Sequence, residues 1–84
     1  EIEILEAELA NDNDNLELRM KLAIKYHEHN HSKESLEQLL YILKQDREYN
    51  NGEAKRTIVD IFKSLGNKDP LVAVYQKQLF SLLY

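Results

Sequence analysis

Apolar residues recur along this chain at helical spacing. Ile2, Leu5 and Leu9 stand at i, i+3 and i+7 among glutamates, and 3.6 residues per turn puts such positions on one face. This predicts a first helix over residues 2–10. The run Asn11-Asp12-Asn13-Asp14-Asn15 ends it, because short Asn and Asp side chains compete for backbone hydrogen bonds, and it offers an N-cap to a second helix over 15–29. There Leu16, Leu18, Met20, Leu22, Ala23, Ile24 and Tyr26 wrap well over half the circumference, which predicts burial between neighbours on two sides. After the turn Asn30-His31-Ser32, Ser32 is the expected N-cap of a third helix over 33–47. Its core stripe is Leu36, Leu39, Leu40, Ile42 and Leu43, with Tyr41 pointing away.

Tyr49-Asn50-Asn51-Gly52 makes the next break, with Asn51 expected to cap a fourth helix over 53–65. Ala54, Ile58, Ile61, Phe62 and Leu65 share its inner face. Gly66 then supplies the left-handed residue that commonly ends a helix. Asp69 is the expected N-cap and Pro70 the first residue of a fifth helix reaching the C-terminus, since Pro lacks only an N–H that would have no partner there. Leu71, Val72, Tyr75, Leu79, Leu82 and Leu83 form the face expected to pack on the fourth helix. The connections are short, which makes consecutive helices antiparallel neighbours. The expected fold is all-α, with about five helices in antiparallel pairs.

Composition narrows the function classes. Eighty-four residues suit a single domain. Two Gly and one Pro are too few for the turns of an all-β fold. No apolar run approaches the roughly 20 residues of a membrane span. With no Cys, the chain has no disulfide, thiolate nucleophile or Cys-based metal site. The first residue is Glu1, and the chain reads as a fragment of a longer protein whose targeting segment would lie elsewhere. The formal net charge is −4 and unevenly spread. Residues 1–14 hold six acids and no basic side chain, whereas 53–84 hold five bases and three acids. No basic stripe is present to neutralise phosphates, so nucleic acid is not an expected partner.

Short helix pairs raise the question of a repeat. Arg19, Leu22, Ala23 and Tyr26, followed by Ser35 and Leu39, resemble the tetratricopeptide pattern, which implies a right-handed superhelical stack. Ala23 and Ser35 are small enough for two helices to approach closely, and Leu22, Tyr26 and Leu39 fill the space beside them. Residues 16–49 have the length of one such repeat. On this division 1–15 is the second helix of an earlier repeat and 50–84 a divergent C-terminal one. The pattern departs at Arg19, where an aromatic is common, and at Arg47, where Pro is expected.

A narrower resemblance rests on Asp46-Arg47-Glu48-Tyr49-Asn50-Asn51-Gly52-Glu53-Ala54-Lys55-Arg56, then Ile58-Val59-Asp60-Ile61-Phe62 with Leu65-Gly66. Asp69-Pro70-Leu71-Val72, Tyr75-Gln76-Lys77-Gln78-Leu79 and Leu82-Leu83-Tyr84 follow. These segments resemble the C-terminal tetratricopeptide region of bacterial thioredoxin-domain co-chaperones of the YbbN or chaperedoxin type. The resemblance implies a cytoplasmic protein whose partners are the chaperonin or Hsp70 system, or unfolded clients. It also implies that this part binds protein and that any redox cysteine pair lies upstream.

Catalysis and cofactors find no support. Ser32, Ser35 and Asp46 lie near histidines in sequence, but a triad needs a preorganised cleft that two short helices do not offer. His27 and His31 are four apart yet lack an evident third ligand beyond Glu28, so neither a metal nor a cofactor is expected. Two protein-binding surfaces are expected instead. Ala73, Lys77, Phe80 and Tyr84 form a strip on the fifth helix beside its core face. The outward cations Arg19, Lys21, Lys25, Lys55, Arg56 and Lys63 suit a concave groove for acidic peptides. Self-association into a homodimer through the fifth or first helix is the alternative.

Overall fold

The computed structural model describes residues 1–83. Five helices follow one another: α1 (Ile2–Ala10), α2 (Leu16–Glu28), α3 (Ser32–Gln45), α4 (Tyr49–Leu65) and α5 (Pro70–Leu83). No strand occurs among the described residues. The Asn-rich turn works as its chemistry suggests. Asn11 Nδ2 donates back to the Ala7 carbonyl at 3.3 Å, and Asn15 Oδ1 accepts from the Leu18 N–H at 3.1 Å as the N-cap of α2. Asp69 Oδ1 likewise accepts from the Leu71 N–H at 2.9 Å at the start of α5.

Two buried clusters meet across α2. Met20 and Ala23 face the larger one, with Leu36, Leu39, Leu40, Ile42 and Leu43 of α3, Ala54, Ile58 and Ile61 of α4, and Tyr75 and Leu79 of α5. Leu22 and Tyr26 face a smaller one with Leu9, backed by Ile2, Leu5 and Leu18. The broad apolar surface of α2 is thus used on two sides. Ala23 and Ser35 are fully buried, and Ser35 Oγ donates to the Ala23 carbonyl at 2.7 Å. Small side chains let α2 and α3 approach, and the one hydroxyl between them is satisfied, so its burial leaves no unpaired polar group.

Four expectations need correcting. Ser32 is the first residue of α3, and His31 occupies the N-cap without a side-chain hydrogen bond. The turn closes early because Asn30 takes a positive φ of 64° and the His31 N–H donates to the Tyr26 carbonyl at 2.8 Å. At its other end α3 stops at Gln45, where Asp46 turns extended. Asn51 does not cap α4. Asn50, Asn51 and Gly52 form a left-handed turn (φ 47°, 58° and 83°) spliced into the helix, and Glu48 stands at the N-cap. The fourth concerns α5, which packs on α3 rather than along α4. Tyr75 Oη donates to Glu37 Oε2 at 3.3 Å, and Arg47 Nη2 donates to the Leu83 carbonyl at 3.2 Å. The Gly66 to Asp69 connection swings α5 across the stack, where α3 offers the wider apolar face.

Candidate functional site

The outward cations do not converge on one groove. Arg19 is consumed within the fold. Its Nε donates to the Asn13 carbonyl at 3.0 Å, its Nη1 to Gln38 Oε1 at 2.8 Å, and its guanidinium stacks 3.5 Å from the centroid of the Tyr41 ring. Tyr41 in turn donates to Asp14 Oδ1 at 3.1 Å. This cluster ties α2, α3 and the Asn-rich turn together. Arg19 therefore fills the role an aromatic commonly has at that position, as a flat group laid on a ring.

Lys21 and Lys25 line a depression of about 390 Å³ between α1 and α2, with Glu1, Ile4, Leu5, Ile24 and Glu28. Lys25 Nζ lies 3.0 Å from Glu1 and 3.5 Å from Glu28. The hydrogen bond and charge of Lys25 hold the Glu1 carboxyl below its ordinary pKa, and Glu1 then Glu28 push Lys25 up. Lys25 is therefore held protonated and paired with two carboxylates of its own chain. Ile4 is 63% exposed and Ile24 37%, so the depression has an apolar floor that the sequence reading did not anticipate. Ile4 was legible as an apolar residue one position off the α1 stripe.

Lys55, Arg56 and Lys63 line a different depression of about 720 Å³ along α4, with Val59 and Asp60. The two depressions share no lining residue. Arg56 Nη1 donates to the Asn51 carbonyl and so clamps the left-handed turn. Lys55 and Lys63 are exposed and make no ion pair among the described residues. Positions 55, 59 and 63 repeat every four residues, giving two cations with exposed Val59 between them on one face.

The α5 strip is also in place as far as it is described. Ala73 and Lys77 are exposed and Phe80 is 51% exposed. Val74, which the sequence reading left out, is 52% exposed beside them. Tyr84 lies outside the described residues. His29 and His31 line another depression with Glu1, Ile2, Glu3, Glu6, Tyr26 and Glu34. Tyr26 donates a hydrogen bond to Glu6. His27 is not in that depression, and no group of three ligating side chains is poised for a metal among the described residues. No helix among the described residues is long and apolar enough to cross a membrane.

A tetratricopeptide repeat model matches residues 1–84. An uncharacterized protein of Haemophilus influenzae is 42% identical over 53 residues, which is 63% of this chain and 24% of that protein. The matched segment thus spans about a quarter of the relative's length.

Proposed function

Since the chain belongs to the tetratricopeptide repeat family, whose repeats generally mediate protein–protein contacts, we propose that it is a non-catalytic docking module for an acidic segment of a partner protein. The α4 face carries this reading. Lys55 and Lys63 flank exposed Val59, so an apolar side chain can seat between two cations that bind carboxylates. Arg56 contributes by holding the turn that begins the helix.

We further infer the setting from the sequence resemblance. In this reading the chain is the client- or chaperone-binding part of a bacterial, cytoplasmic thioredoxin-domain co-chaperone, with 16–49 its complete repeat between a half repeat (1–15) and a divergent one (50–84). The residues shared with that type at 46–56 and 69–72 support it, and they include Lys55 and Arg56. The corresponding test is binding of the chain to purified chaperonin and Hsp70 by titration calorimetry. The double variant Lys55→Glu, Lys63→Glu is expected to bind at least about tenfold more weakly, about 1.4 kcal/mol, and added salt to weaken the wild type. Unchanged affinity in the double variant would rule out the α4 face.

A further inference from the structure

Asn51-Gly52 is the one place in the chain where Gly follows Asn. Both residues line the α4 depression with Lys55, Arg56 and Lys63, and Asn51 is exposed. A glycine leaves the amide nitrogen that follows an asparagine open to react, because no side chain stands beside it. We propose that Asn51 is a site of spontaneous deamidation gated by the Arg56 clamp, and that the carboxylate it yields weakens binding of acidic segments to the α4 face. The second half rests on the partner-binding reading above, and the first half does not.

Water and hydroxide are the co-reactants. Gly52 N gives its proton to hydroxide, and the electron pair left behind attacks Asn51 Cγ. As that bond forms, the Cγ–Nδ2 bond breaks, and Nδ2 takes a proton from water and leaves as ammonia. The cyclic imide then adds water at either carbonyl and opens to aspartate or isoaspartate, each carrying a new negative charge. The folded turn blocks the attack. Ring closure needs Asn51 Cβ and Gly52 N eclipsed about the Cα–C bond, and at the Asn51 ψ of 36° they lie on nearly opposite sides. The turn must open first, and the rate follows the open fraction. Arg56 Nη1 holds it closed from the Asn51 carbonyl, and Asn50 Nδ2 donates to Glu53 Oε1 at 2.6 Å. Gly52 N–H itself is held only at 3.4 Å by the Glu48 carbonyl, longer than an ordinary N–H···O bond. Asn30 is the contrast. It is also left-handed, but His31 follows it, and the His31 N–H is held at 2.8 Å by the Tyr26 carbonyl. The depression sets Lys55, Arg56 and Lys63 against Glu53 and Asp60, so a further carboxylate there cancels its excess of positive charge.

Peptide mapping by mass spectrometry of the whole chain, held in mildly alkaline buffer, tests the site. Conversion at Asn51 is expected to outrun that at every other Asn, and to be slower than in a synthetic peptide of residues 47–56. Arg56→Ala and Glu53→Ala, each with unchanged helical circular dichroism, are expected to convert about fivefold faster than the wild type. An Asn51 that stays intact while the peptide converts overturns the proposal, as do wild-type rates in both variants. For the consequence, Asn51→Asp reproduces one product, and Asp tolerates the left-handed region much as Asn does. This variant is expected to bind a polyglutamate peptide about threefold more weakly at low salt by titration calorimetry. Equal affinity, while Lys55→Glu, Lys63→Glu still weakens binding, overturns the second half and leaves the partner reading standing. If that double variant binds polyglutamate as the wild type does, the partner reading and the second half fall together, and the conversion rates alone decide the first.

Discussion

Tyr26 shows how much one residue does here. Its ring belongs to the cluster that holds α1 on α2, its hydroxyl donates to Glu6, and its carbonyl accepts from the His31 N–H at the turn into α3. Burial first, and then the Glu6 carboxylate, push its pKa from 10.0 up to about 12. The folded chain therefore keeps a proton that the unfolded chain releases between those values. Stability is level below pH 10 and falls as pH rises from 10 towards about 12. Tyr49 and Tyr75, both raised chiefly by burial, act in the same direction. Tyr26→Phe is expected to lose about 1 kcal/mol near neutral pH with the hydrogen bond, and to lose less than the wild type across the alkaline window. Urea midpoints at closely spaced pH values check this, and parallel curves for the two proteins would show that Tyr26 is not the titrating group. At this scale the sequence was informative for packing residues. Ala23, Ser35, Leu22, Tyr26 and Leu39 are buried as the small-and-large pattern requires. It was poor for charged ones: Arg19 reads as an outward cation, and only the fold reveals the ring and the amide that hold it.

Element ends follow local chemistry closely, and the exceptions are instructive. Asn15 and Asp69 cap as expected. The break at Asn50-Asn51-Gly52 was legible, but its form was not. The left-handed region costs an L-residue about 1–2 kcal/mol, a cost that falls on Asn50 and Asn51 and not on Gly52. Asn tolerates that region best among non-glycines, and the turn recovers energy from Asn50 Nδ2 donating to Glu53 Oε1 at 2.6 Å and from the Arg56 clamp. Gly66 has the positive φ expected of it, 89°, but with an extended ψ of 157°, a region that is essentially glycine-only. The two glycines therefore rank differently. An added Cβ meets Arg56 Nη1 at 3.6 Å from Gly52 and nothing within 4 Å from Gly66, so backbone strain alone sets both costs. Gly66→Ala is expected to lose about 2–3 kcal/mol and Gly52→Ala about 1 kcal/mol. Thermal melts of the two variants give the order, and a larger drop for Gly52→Ala would contradict it.

Across the whole molecule, the two clusters carry unequal weight. α5 commits Val72, Tyr75 and Leu79 to burial, whereas α1 commits Leu9 alone among its fully buried residues. At about 2 kcal/mol for each large side chain buried, α5 is the greater contributor, and it lies on the larger cluster. Removing residues 70–84 is expected to abolish the cooperative melt by uncovering α3. Removing residues 1–14 is expected to lower the melting temperature but leave a cooperative transition, because α2 to α5 keep their shared core. Circular dichroism melts of both truncations decide it, and a cooperative transition surviving only the loss of α5 would reverse the ranking.

The run of apolar positions at helical spacing determined five helices, the two-sided burial of α2 and the α2–α3 hairpin. These depend on residues within a turn or two of one another, or on the size match of Ala23 with Ser35. The tertiary structure decided what depends on the path of the backbone between elements. It laid α5 on α3 through a glycine conformation that sequence does not specify. It also separated the six cations into different environments and left Ile4, Ile24, Val74 and Phe80 facing outward. An apolar residue is legible as such in any sequence, but whether another helix covers it depends on where every other helix goes.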